Sequence, residues 1–272
     1  MAEATTPGLS AAQQPARQAG VQQPAWQAGV ALSVRRLRVR YGDLEAVHGV
    51  DLDVGAGQLV ALLGPNGAGK TSTLLAILGL QAADGEVVLE GSDVSALAAW
   101  ERAARGLAWV PEGRRLLAAM TVEENLRAGA YRELDRWGRL SSRSRERLER
   151  VLELFPVLAE RRRQLAGTLS GGEQQMVALG RALMSDPRVL LVDEATTGLM
   201  PRAVEKVLES LETLKGLGVA ILLVEQNVDQ ALEIADHAYV MESGQVVLAG
   251  PARQLAGDPR VASAYFGRLR RA

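Results

Sequence analysis

The 272-residue chain is 47% hydrophobic and carries 31 Lys+Arg against 32 Asp+Glu, a formal net charge of −1. That is ample to bury one large core or two small ones, and the balance lacks the positive excess that drives nucleic-acid binding, so no nucleic-acid partner is expected. Zero cysteines exclude a disulfide scaffold and a thiolate metal site, and fit a reducing compartment.

Residues 1–30 hold a tandem repeat, QQPARQAGV followed by QQPAWQAGV. Two short copies rich in Gln, Ala, Gly and Pro bury no shared core, so a disordered tail is expected over 1–30, with Trp26 as a possible anchor for a partner. A folded domain is expected over 31–272. The start MAEATTPGLS has neither the basic flank nor the apolar stretch of a secretory signal, and no run reaches the roughly 18 apolar residues that cross a bilayer. A cytoplasmic chain is the expectation.

From Leu32 the alternation of Val34, Leu37 and Val39 with arginines predicts a half-exposed strand. Val47 to Val54 and Glu86 to Leu89 add two more. Three continuous apolar runs, LVALL (Leu59 to Leu63), Leu190 to Asp193 and AILLVE (Ala220 to Glu225), read as strands covered on both faces. Helix-length segments separate them, the rhythm of a doubly wound α/β fold. Between about 95 and 182 the reading turns helical: Leu148, Val151, Leu152, Phe155 and Leu158 recur at spacings of three and four. The arginines there, ending in Arg161, Arg162 and Arg163, read as a solvated face neutralised by Glu146, Glu149, Glu153 and Glu160.

GPNGAGKT, Gly64 to Thr71, follows the buried run LVALL and precedes the helix-like TSTLLAILG. Strand, glycine loop and helix in that order are the context of a phosphate-binding loop. Gly64, Gly67 and Gly69 let the loop Gly64, Pro65, Asn66, Gly67, Ala68 and Gly69 curl around phosphates, every residue but the proline offering a backbone N–H. Lys70 supplies a point charge to the β- and γ-phosphates, Thr71 a hydroxyl to Mg²⁺, and Ser72 stands next in the helix. Leu190 to Asp193 drives a second strand to the same edge, ending in adjacent carboxylates. Because successive strand residues face opposite ways, Asp193 is assigned to the Mg²⁺ shell and Glu194 to polarising the attacking water as general base.

A third motif, LSGGE (Leu169 to Glu173), lies between these two. With all three in order the chain resembles the nucleotide-binding subunits of ABC transporters from about Leu32 to its C-terminus. The resemblance implies a P-loop α/β domain with a mostly parallel central sheet, an antiparallel β layer and a helical insert. It also implies ATP and Mg²⁺ as cofactors, and ATP hydrolysis shared across a dimer. Ser170, Gly171, Gly172 and Glu173 of one chain would cap the γ-phosphate held by the other. Tyr41 matches the aromatic that stacks on adenine. Glu112 falls where most relatives carry a Gln that touches Mg²⁺ and the attacking water, and Gln226 where most carry a switch histidine. The chain has two histidines, His48 and His237, neither at that position. The loop after Glu194, ATTGLMP, lacks the aspartate expected to cross the dimer interface.

VPEGRRLLAAMTVEENL, LSGGEQQMVALGRALM, DEATTGLMP, VEQN and the closing AYFG are together similar to the ATPase subunits of branched-chain amino-acid importers. Related amide and urea importers share much of the pattern. The partners so implied are a second ATPase subunit, identical or homologous, two membrane permease subunits and, indirectly, a solute-binding protein, with the chain lying peripherally on the inner face of the membrane. A groove between sheet and insert, around Glu112 to Asn125, is the expected docking surface for a permease helix. Two rival classes share the motifs. Chromosome-maintenance or repair ATPases place sustained heptads before the signature, absent here; a regulatory module that binds ATP without hydrolysing it is disfavoured by intact Lys70, Thr71, Asp193 and Glu194.

Overall fold

The computed structural model describes residues 29–266. Most of the expected tail, Trp26 included, and Gly267 of the AYFG run lie outside the described residues. Strand β1 (Val30–Tyr41) pairs antiparallel with β2 (Leu44–Gly55) on one side and β4 (Ala83–Leu89) on the other, and β5 (Ser92–Asp93) completes a four-stranded layer in the order β2-β1-β4-β5. Its inner residues Leu32, Val34, Leu37 and Val39 are fully or nearly fully buried, while the arginines interleaved with them range from half-buried to exposed.

The second sheet has the order β10-β9-β3-β8-β7-β6, built from β3 (Leu59–Leu63), β6 (Leu107–Val110), β7 (Val189–Asp193), β8 (Ala220–Glu225), β9 (His237–Glu242) and β10 (Gln245–Pro251). All neighbours are parallel except β9 and β10. Every residue of β3, β7 and β8 is buried, as the continuous apolar runs require of strands covered on both faces. The pleat sorts them. Val60, Leu62, Leu191, Leu222 and Val224 join the core under the antiparallel layer, with Leu74 and Ile77 of helix α1 (Lys70–Ile77). Leu59, Ala61, Leu63, Leu190, Val192, Ile221 and Leu223 join the opposite core under the remaining helices.

Those helices are α3 (Val122–Gly129), α4 (Ser142–Leu154), α5 (Pro156–Glu160), α6 (Gly171–Leu183), α7 (Pro201–Gly216), α8 (Val228–Ile234), α9 (Ala252–Leu255) and α10 (Pro259–Phe266); α2 (Ala99–Ala104) instead lies against α1, its Arg102 donating to the carbonyls of Ala76 and Ile77. Three expectations need adjusting. The helical stretch 95–182 contains β6, a strand of the main sheet, so only α3 to α6 form the insert. The 148–158 periodicity is two helices, because Pro156 cannot donate to the turn before it and starts α5; all five apolar residues are nonetheless buried. Of the arginine run, Arg162 pairs with Glu149 at 3.1 Å and Glu123 at 2.7 Å, while Arg161 reaches Glu173 at 2.8 Å.

A surface pocket is lined by Leu78, Leu80, Ala103, Trp109, Gly129 and Tyr131 among others. Residues 112–125, the expected docking surface, lie on the loop between β6 and α3 and in the first turn of α3. Among the described residues no helix is long and apolar enough to cross a membrane.

Candidate functional site

Parallel pairing aligns the C-terminal ends of three strands. Leu63 sits opposite Glu225, and Asp193 opposite Val224, so the segments that leave β3, β7 and β8 emerge together at one edge, where doubly wound sheets bind ligands. The first leaves as Gly64 to Gly69. A Cβ on Gly64 would stand 2.4 Å from the Met241 carbonyl, and one on Gly69 2.7 Å from that of Ala46. Both also have left-handed backbones, φ 155° and 101°, so only glycine fits. Gly69 caps α1 without any side-chain bond, which leaves the first N–H groups of that helix for an anion.

Lys70 is buried, and its Nζ donates to the carbonyls of Gly64 at 2.7 Å and Pro65 at 3.1 Å. Burial holds its pKa below the ordinary lysine value, opposed by the charges of Glu194, Asp193 and Glu225. The ammonium is thus folded onto its own loop, where phosphate oxygens can replace the two carbonyls. Thr71 is exposed on the first turn of α1. Tyr41, at the end of β1, is 44% exposed and donates its hydroxyl to Ser72 Oγ at 3.3 Å, which holds an open aromatic face beside the loop.

Asp193 is buried, with Oδ1 lacking any hydrogen-bond partner. Burial first, then the charges of Glu194 and Glu112, push its pKa up to about 6, with Lys70 opposing. A buried, orphaned carboxylate oxygen next to like charges is the environment a divalent cation relieves, and a carboxylate with a threonine hydroxyl suits Mg²⁺. Glu112 is exposed on the loop after β6, near enough to Asp193 for its charge to act there.

Glu194 turns off β7 in a left-handed conformation, φ 48°, and its N–H donates to the Val224 carbonyl at 2.9 Å. Gln226 Nε2 donates to its Oε1 at 2.6 Å and Thr197 Oγ1 to its Oε2 at 3.2 Å. The carboxylate is thereby held as an acceptor, oriented from two sides. Sequence reasoning placed Gln226 where most relatives carry a switch histidine; here its amide grips the adjacent Glu194 carboxylate.

Ser170 to Glu173 stand apart: no hydrogen bond or ion pair joins them to Gly64 to Ser72 among the described residues. Helix α6 begins at Gly171. Exposed Ser170 is its N-cap, accepting from Glu173 N at 3.4 Å while Glu173 Oε2 accepts from Ser170 N at 2.8 Å. The glycines also serve packing within the chain, since a Cβ on Gly172 would meet that of Ala203 at 2.7 Å. Arg181 of α6 donates to the carbonyls of Arg114 and Arg115, and Arg114 to Gln174, so the loop carrying Glu112 is tied to the signature helix.

Two neighbours went unread as site residues. Glu225 appeared only as the end of an apolar run, although a carboxylate there is itself the signal. Tyr265, noted within AYFG, accepts a hydrogen bond from Gly64 N at 2.5 Å, fixing α10 to the start of the phosphate loop. Burial pushes its phenol up to about 12.

Comparison with known proteins places this geometry. Residues 47–197 match the family model described as ABC transporter. The high-affinity branched-chain amino acid transport ATP-binding protein BraG of Pseudomonas aeruginosa is 43% identical over 87% of this chain and 99% of its own length. The probable branched-chain amino acid transport ATP-binding protein LivF of Archaeoglobus fulgidus is 38% identical over 81% and 92%. The lipopolysaccharide export system ATP-binding protein LptB of Haemophilus influenzae is 32% identical over 87% and 97%. Among solved structures, the ADP conformation of an ATP-binding cassette of an ABC transporter superposes with a TM-score of 0.79 at 28% identity, covering 88% of this chain and all of that one.

Proposed function

Because the chain belongs to the ABC transporter family of ATP-hydrolysing subunits, we propose that it powers uptake of branched-chain amino acids across the cytoplasmic membrane. What supports the cargo is near full-length similarity to BraG and LivF, with the lipopolysaccharide export relative less similar. What carries the chemistry is one observation: Lys70, Asp193, Glu194 and Gln226 converge at the ends of adjacent parallel strands.

In this reading Tyr41 stacks on adenine, Gly64 to Ser72 cradle the phosphates and Lys70 neutralises them. Thr71 and Asp193 would hold Mg²⁺, which would supply neutralisation of phosphate charge. Glu194 orients and deprotonates the attacking water, with Glu112 beside it. Ser170, Gly171, Gly172 and Glu173 complete the site of a second subunit, identical or homologous, so one chain holds half of each of two sites. Two permease subunits dock at the surface around Glu112 to Asn125, placing the chain peripherally on the inner membrane face, with a solute-binding protein engaged only through them.

Glu194→Gln should retain ATP while turnover falls by roughly 10²-fold or more, trapping a dimer visible by size-exclusion chromatography. Full turnover would remove Glu194 from the role of base. The cargo is tested separately, by deleting the gene and following labelled solutes: leucine, isoleucine and valine uptake should fall, whereas loss of amide or urea uptake alone would reassign it.

A further inference from the structure

We infer that Glu225 is a positioning residue for hydrolysis, a buried acceptor that locks the loop after Glu194 and so fixes where the general base points. This rests on reading Glu194 as the base. Strand β8 is AILLVE, with all six residues buried. A carboxylate at the end of such a strand, 2% exposed, is costly to bury unless its oxygens are satisfied. Its Oε1 accepts from Thr196 N at 3.0 Å and from Thr196 Oγ1 at 3.1 Å.

Thr196 lies two residues beyond Glu194, whose left-handed backbone persists only where surrounding contacts impose it. Three consecutive residues supply them. The Val224 carbonyl takes the Glu194 N–H, Glu225 takes Thr196, and the Gln226 amide takes the Glu194 carboxylate itself. Thr197, the next residue, closes the turn by donating to Glu194 Oε2. Without an acceptor at 225, the Thr196 N–H and hydroxyl are left buried and unpaired. The loop must then shift to satisfy them, carrying the Glu194 carboxylate with it. Glu225 makes none of the hydrogen bonds assigned to ATP or Mg²⁺, and only its charge reaches Lys70 and Asp193, so its loss should reach the rate far more than the affinity.

The experiment compares Glu225→Ala, Glu225→Gln and Thr196→Val in the full chain, measuring kcat at saturating ATP, Kd for a fluorescent ATP analogue and thermal stability. Glu225→Ala should lose roughly 10- to 100-fold in kcat, the scale set by misplacing a reacting group by about an ångström, with Kd changed less than about threefold. Glu225→Gln offers the same acceptor oxygen and should restore most of the rate. Thr196→Val removes one of the two bonds, should fall in between, and should add little on top of Glu225→Ala. If Glu225→Ala fails to fold, the paired behaviour of Glu225→Gln and Thr196→Val decides.

An unchanged kcat in Glu225→Ala would overturn the proposal. So would a loss fully accounted for by weaker ATP binding, or equal damage from Glu225→Gln. Glu194→Gln, assayed in parallel, separates this from failure of the base assignment: if it retains turnover, the base is wrong whatever Glu225 does.

Discussion

The contact between Gln226 and Glu194 gives the switch position a specific chemistry. An amide at 2.6 Å from a carboxylate oxygen donates a charge-assisted bond but carries no charge of its own and does not titrate. In the proposed mechanism it therefore steers Glu194 without competing for its proton, as a histidine there would near neutral pH. Gln226→Ala should lower kcat by about tenfold while nucleotide affinity holds, since Lys70 and the loop backbone are untouched. An unaffected rate would show that Thr197 and the loop suffice. Gln226→Glu should be worse than Gln226→Ala, because a second carboxylate at that distance favours protonation of Glu194; turnover of the two variants across pH 6 to 9 separates the effects.

At the level of elements, the helical insert is fastened by a close crossing of α3 and α6. A Cβ on Gly129 would stand 1.9 Å from the Arg181 carbonyl, and one on Gly180 2.8 Å from Leu126 Cδ2. Neither has a left-handed backbone, so the obstacle is space and not conformation. Gly129→Ala should cost about 1–3 kcal/mol as the helices are forced apart. Gly216→Ala, at the open end of α7 with nothing within 4 Å, should gain about 0.4–1 kcal/mol. Denaturant midpoints at equal slope check both. This crossing was invisible in the sequence, where two isolated glycines inside helical patterns carry no mark of what lies opposite. The legible elements were those whose pattern is local: β3, β7 and β8 as unbroken apolar runs, and the phosphate loop by its glycines and lysine. β6, four residues inside a helical stretch, and β9, with His237 at one end and Glu242 at the other, gave no such pattern, because their place is set by neighbours distant in sequence. The role of Glu225 was hidden for the same reason, its partner Thr196 lying on another strand's loop.

Across the whole molecule, the two sheets meet at a seam that contains ionisable groups. His237 of β9 lies under the antiparallel layer, its ring 5.0 Å from that of Tyr239. The Asp53 N–H of β2 donates to Tyr239 Oη at 3.1 Å, and Arg35 reaches Asp53 at 2.8 Å. Burial holds the His237 pKa at about 4, against 6.5 unperturbed, with the Asp53 charge only partly offsetting it. A base with a depressed folded pKa contributes stability that is whole above its unfolded value and is lost as pH falls toward its folded one. His237 should therefore remove up to about 3 kcal/mol between pH 6.5 and 4. Asp193 acts in the opposite sense. Its folded pKa of about 6 exceeds the 3.8 of the unfolded chain, so it adds stability as pH falls through that same window. Glu225, its buried carboxyl also raised, acts in the same sense as Asp193, so the wild-type nucleotide-free chain should conceal opposing slopes between pH 6.5 and 4. Asp193→Asn should lose stability more steeply than the wild type as pH falls through that window. His237→Gln should make the protein more stable on acidification down to about pH 4. Denaturant unfolding of the three proteins at half-unit steps of pH reads this directly, and parallel profiles for wild type and His237→Gln would mean that the seam tolerates an imidazolium.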